Sequence, residues 1–134
     1  MSARHQARLI AAQALYALDM GNGSSDFNRL SYENKMAQKY KDFALALFEG
    51  SYANLTEIDD TIVSNISKDW SIDRLGKTEK AILRLACYEL IFTDTDAPIA
   101  IDEAIDLAKE LADDNAPPFI NGILEAIRKN RRAS

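Results

Sequence analysis

The sequence predicts an all-α fold, a compact bundle of about six to seven helices forming one domain over residues 1–134. Three observations lead there. Only five Gly and three Pro punctuate the chain, and residues that favour helix are plentiful. Apolar residues recur at three-to-four spacing in one segment after another. No segment shows the sustained alternation of a half-buried strand.

The first helix is expected from about Ala3 to Met20, with Leu9, Ala12, Leu15/Tyr16 and Met20 as its apolar stripe. Gly21-Asn22-Gly23-Ser24-Ser25 stops it and forms a loop. A second helix is expected from about Tyr32 to Asn54, its stripe being Met36, Tyr40, Phe43/Ala44 and Leu47/Phe48. Gly50 inside it costs about 1 kcal/mol relative to Ala, which a close helix crossing at that point would explain. Thr56 caps a third helix to about Ile66, with Ile58, Ile62 and Ile66 on one face. Trp70 and a short turn at 72–75 follow, ending at Gly76. The fourth helix, about Lys77 to Phe92 with Thr78 as an alternative cap, is apolar on most faces and should be the centre of the core. Asp94-Thr95-Asp96-Ala97-Pro98 breaks the chain before a fifth helix that runs to about Ala112. Pro117 and Pro118 suit the first turn of a last helix, which carries Phe119, Ile120, Ile123, Leu124 and Ile127 into a basic tail.

Composition narrows the function classes. A single cysteine excludes an internal disulfide and a cysteine-based zinc cluster, and Cys87 sits in an apolar run where a buried, inert thiol is expected. His5 is the only histidine, 82 positions away, which disfavours a nucleophilic dyad. The acidic pairs Asp59-Asp60, Asp102-Glu103 and Asp113-Asp114 match no calcium loop and read as solvated helix faces. No catalytic residue, metal or cofactor is assigned. No apolar run approaches the ~20 residues of a membrane span, and no secretory leader is evident, so a cytoplasmic protein is expected.

The net charge of −5 conceals a segregated distribution. Residues 1–18 carry Arg4 and Arg8 and no acid, residues 86–127 carry ten acids against Lys109, and residues 128–134 carry four bases. Such a chain suits a polyanion at one face and a basic protein at another. Arg4 and Arg8 are one helical turn apart and share a face where guanidiniums can grip phosphates. Tyr16, two turns on from Arg8, reads equally well as a base-stacking platform or as a core residue.

Several stretches, taken in series, resemble the NusB family of bacterial transcription antitermination factors. They are Ala12-Gln13-Ala14-Leu15-Tyr16, Phe48-Glu49-Gly50, Trp70 with Arg74-Leu75, Glu79-Lys80-Ala81-Ile82-Leu83-Arg84-Leu85 through Leu90, Ile101-Asp102-Glu103-Ala104-Ile105 through Lys109, and Phe119-Ile120-Asn121-Gly122-Ile123-Leu124. The resemblance implies two small packed helical bundles, no catalysis, and binding of single-stranded boxA-type RNA. The implied partners are the ribosomal protein NusE and elongating RNA polymerase with other Nus factors, on ribosomal RNA transcripts. It implies RNA contacts at Arg4, His5 and Arg8 in the N-terminal arm, at Tyr16, at Glu79 and Arg84, and at Asp114, Asn115 and Phe119 near the last helix. Asp73, Arg74, Asp102, Glu103 and Asp106 become the candidate protein contacts. Asn121-Gly122 is expected to let two helices approach closely.

The arm departs from the family, which often has four or more arginines there: positions 5 and 6 are His and Gln. Fewer phosphate contacts should weaken RNA binding unless the tail from Arg128 to Arg132 lies near the arm. Exchanging Arg4 and Arg8 for Glu together is expected to weaken RNA binding without unfolding the domain. Two other classes compete with this reading. One is the NusB-like recognition domain of an rRNA cytosine methyltransferase, which the absence of a linker or nucleotide-binding continuation after Arg131-Arg132-Ala133-Ser134 disfavours. The other is a protein-only scaffold, such as a homodimer.

Overall fold

The structure, a computed structural model, describes residues 2–21, 25–33, 35–67 and 72–133. Trp70 and part of the expected loop after the first helix lie outside them. Among the described residues there are seven α-helices and no strand: α1 (Ala3–Asp19), α2 (Ser25–Glu33), α3 (Gln38–Ala53), α4 (Leu55–Ser64), α5 (Lys77–Phe92), α6 (Ala97–Leu111) and α7 (Ala116–Ala133). A single 3₁₀ turn, Ile72–Arg74, precedes α5.

Ser2 starts α1 by accepting a hydrogen bond from the His5 amide at 3.0 Å, as an N-cap serine should. The buried face of α1 differs from the expected stripe. Ala12 and Leu15 of that stripe are inside, together with Ala7, Ile10, Ala11 and Ala14, whereas Leu9 is half-buried and Tyr16 and Met20 are exposed. Alanines form most of this face because the helix packs closely on its neighbours, and small residues give a weak hydropathy signal.

The expected helix over 32–54 is in fact two. α2 ends at Glu33, Lys35 adopts a left-handed φ of 51°, and α3 begins at Gln38. Phe27 anchors α2, buried and stacked on Phe48 of α3 with ring centroids 5.7 Å apart. Gly76, rather than Thr78, stands at the N-cap of α5, and α6 starts at Ala97 with Pro98 in its first turn. Pro117 and Pro118 occupy the first turn of α7 as expected.

α1, α2 and α3 pack together, and α4, α6 and α7 surround α5. The two groups join where α5 meets α1 and α3. The central role expected of α5 is therefore observed: Ile82, Leu83, Leu85 and Cys87 are almost wholly inaccessible. Each such aliphatic side chain contributes about 1.5–3 kcal/mol on leaving water. Burial pushes the Cys87 thiol up to about 12, with the Asp59 and Glu57 charges adding to the effect, so it stays protonated and unreactive. Gly50 lies in α3 against the Tyr88 ring of α5, the close crossing that its position suggested. Gly122 does not behave likewise, because a Cβ there would meet open space.

Candidate nucleic-acid interface

Two grooves reach the first turn of α5. The smaller, about 200 Å³, is lined by Gln13 and Tyr16 of α1, by Thr78 and Ala81 of α5 and by Leu111 of α6. The larger, about 510 Å³, is lined by Arg74, Leu75, Gly76, Glu79, Asp113, Asn115, Ala116 and Phe119. Residues implied by the sequence from three separate segments thus come together, namely Arg74, Glu79, Asn115 and Phe119, while Tyr16 lines the smaller groove. Asp114 is exposed beside Asn115 but does not line the groove.

Tyr16 is 39% exposed and Phe119 38% exposed. Neither is a core residue, which decides between the two readings left open for Tyr16. Both line a groove, where an aromatic side chain can stack an unpaired base. The Glu79 carboxylate lies against Gly76, where it complements the positive end of α5.

The N-terminal arm is arranged differently from expectation. Arg4 is exposed, with its guanidinium 4.9 Å from the centre of the Phe43 ring. Arg8 is buried. Its Nε donates to Glu89 Oε1 at 2.7 Å and its Nη2 to Glu89 Oε2 at 3.0 Å, with both side chains almost inaccessible. Burial alone would lower the Arg8 pKa, but the Glu89 hydrogen bonds and charge raise it. The pair of guanidiniums on one free face is therefore corrected to one, Arg4. Replacing Arg8 by Glu would set a second carboxylate against buried Glu89, so the double exchange, contrary to the sequence-based expectation, should destabilise the fold as well.

His5 is buried too. Its Nδ1 faces Glu103 at 2.6 Å and its Nε2 faces Glu110 at 2.5 Å. Burial lowers its pKa, and the hydrogen bonds to Glu103 and Glu110 more than offset this, raising it above 6.5. His5, Glu103 and Asp106 bring potential ligand atoms within 4.8 Å of one another. Both ring nitrogens are already engaged by carboxylates, so the arrangement is that of an imidazolium tying α1 to α6. Arg84 is likewise corrected from a surface contact to an internal one. It donates to Asp59 from Nε at 2.8 Å and from Nη2 at 2.7 Å, and Asp19 lies 3.5 Å away.

Among the candidate protein contacts, Asp73, Arg74, Asp102 and Asp106 are exposed, whereas Glu103 is half-buried on His5 and 3.7 Å from Arg8. In the basic tail, Asn130 bonds to Asn65 at the end of α4, and Arg128 pairs with Glu125. Glu89 was missed by sequence reasoning. A lone acid in the apolar run Ala86-Cys87-Tyr88-Glu89-Leu90 was the available signal that a buried cation must face it.

His5 gives a pH prediction. A raised folded pKa means that its stabilising contribution is fully present below about pH 6.5 and is lost as pH rises through the folded value. The groups facing it are Glu103, Glu110 and Asp106, all carboxylic side chains of α6. Thermal unfolding followed by circular dichroism should show Tm falling as pH rises above about 6.5. His5→Gln should flatten that decline, and an unchanged profile would refute the assignment.

The sequence profile of the NusB family matches residues 5–129. The chain belongs to the NusB family. The transcription antitermination protein NusB of Sulfurimonas denitrificans is 44% identical over 133 residues, covering 98% of this chain and all of that protein. A chain in the crystal structure of a plectonemic RNA supercoil superposes with a TM-score of 0.93 at 35% identity, covering 100% of this chain and 99% of that one. The crystal structure of antitermination factors NusB and NusE in complex with dsRNA includes a chain with a TM-score of 0.88 and 34% identity, covering 97% of this chain and 98% of that one. Among the described residues no helix is long and apolar enough to cross a membrane.

Proposed function

We propose that this NusB-family protein is a cytoplasmic transcription antitermination factor, a single RNA-binding domain without enzymatic activity. It binds boxA-type RNA together with ribosomal protein NusE and joins elongating RNA polymerase and other Nus factors on ribosomal RNA operons. The observation that carries the RNA reading is the pair of exposed aromatic residues, Tyr16 and Phe119, at grooves that each reach the first turn of α5. Unpaired bases stack on such faces, which supports a single-stranded ligand. In this reading Asn115 offers hydrogen bonds to base edges, Arg4 holds a phosphate, and exposed Asp73, Asp102 and Asp106 meet the basic NusE. The match extends over the full length of the Sulfurimonas protein, an antitermination protein, which speaks against the methyltransferase alternative.

A mobility-shift assay with boxA RNA should show tighter binding when NusE is added, and equal affinities would remove the cooperative reading. Phe119→Ala should weaken binding by about 1–3 kcal/mol, the worth of one stacked base. The same RNA annealed to its complement should bind less well. A preference for the duplex would transfer the reading to double-stranded RNA.

A further inference from the structure

Apart from Arg4, the contact that α1 offers to the interface described so far is Tyr16, in its C-terminal half. A third groove, about 370 Å³, opens at the other end of that helix, between the arm and the start of α3, and is lined by Ser2, Ala3, Gln6, Lys35, Met36, Ala37 and Tyr40. Its surroundings are basic and aromatic. Lys39 Nζ lies 4.9 Å from the centre of the Tyr40 ring, and Arg4 lies over Phe43, one turn further along the same face of α3. Among the described residues no carboxylate pairs with Lys35 or Lys39, both of which are exposed. This differs from Lys77 and Lys80, which both reach Asp19.

We propose that this groove is a second subsite for single-stranded RNA, in which Lys35, Lys39 and Arg4 hold phosphates and Tyr40 stacks a base. Unpaired cations interleaved with an aromatic face are the features that bind single strands. An acidic protein segment would use the cations but gain little from the tyrosine face. The site also accounts for a shortage. His5 and Arg8 are engaged internally, so the arm has one exposed cation, and the lysines at the start of α3 supply the positive charge that the arm does not. The proposal rests on the RNA-binding reading above and lengthens its track along α1, from the Tyr16 groove to the arm.

The test uses Lys35→Asn with Lys39→Gln, and separately Tyr40→Leu. Asn tolerates the left-handed backbone at position 35, so the exchange removes charge without straining the turn. Binding is followed by fluorescence anisotropy with a boxA oligoribonucleotide extended by uridines at either end, across a salt series. The double lysine variant should reduce the slope of log K against log salt by about 1.4, at 0.7 per phosphate contact on a single strand. Tyr40→Leu should weaken binding about tenfold. A core oligonucleotide without extensions should bind all variants alike. If wild type binds the extended RNA and the variants match it in affinity and slope, this subsite is refuted while the Tyr16–Phe119 interface stands. If wild type does not bind RNA at all, with or without NusE, both readings fall. If polyglutamate of equal charge competes as well as RNA and Tyr40→Leu has no effect, the groove belongs to an acidic protein and the proposal is overturned.

Discussion

Arg8→Ala is expected to destabilise the protein by about 3–5 kcal/mol, the cost of leaving half of a buried ion pair without its partner. The Arg8 fork meets the Glu89 carboxylate through two hydrogen bonds, and Glu89 is 2% exposed, so water cannot replace the lost guanidinium. Glu89 must then stay charged in the core or take up a proton, and either costs free energy. Urea unfolding should register the loss, and Tm should fall by more than about 10 °C for a domain of this size. The paired exchange Arg8→Met with Glu89→Leu should recover most of the stability, because apolar residues of similar volume often replace a buried pair at little cost. A loss below about 1 kcal/mol for the single variant would show that the pair is not closed in solution. The paired variant also isolates the arm's role. If it binds RNA like wild type, Arg8 contributes no phosphate contact, and Arg4→Glu alone becomes the test of the arm.

Helix order and the central position of α5 were legible because they depend on local spacing. α5 is apolar nearly all round, and that pattern has one common outcome in a helical protein. α2 was not legible. Ser25-Asp26-Phe27-Asn28-Arg29-Leu30-Ser31 is poor in strong helix formers, and a tertiary contact, Phe27 on Phe48, holds it. The candidate site divides in the same way. Tyr16 and Phe119 were identifiable as residues of interest, but the exposure of Tyr16 depends on how α1 is rotated, and that of Phe119 on how α7 is set; α1 buries a face made largely of alanine. Arg8 and Glu89 are far apart in sequence, and nothing local says that an arginine near a chain end points inward. The pairing follows only once α1 lies on α5, and it turns an expected ligand contact into a structural one. The groove by Lys35 and Tyr40 escaped notice for a related reason, since the turn that creates it lay inside a segment read as continuous helix.

Gly50→Ala is expected to lower stability by about 1–3 kcal/mol even though alanine favours an isolated helix by about 1 kcal/mol. A Cβ at position 50 would overlap the Tyr88 Oη and Cζ atoms and stand 2.7 Å from Cε1, so the ring must move. It is not free to do so, because Tyr88 stacks on Phe92 with centroids 5.6 Å apart and planes 19° from parallel. Either the stack opens or α3 lifts away from α5. A double-mutant cycle separates the clash from propensity: in the Tyr88→Leu background the obstructing ring is gone, and Gly50→Ala should become neutral or stabilising. If Gly50→Ala stabilises the parent protein, the close crossing is absent in solution. The consequence for function follows from where the crossing lies. α3 carries Lys39 and Tyr40, and α5 carries Thr78 and Glu79, so the α3–α5 contact helps set the spacing between the two ends of the RNA track. A variant that lifts α3 should therefore bind a core boxA oligonucleotide nearly normally and lose affinity mainly for the extended RNA, which must engage both grooves at once.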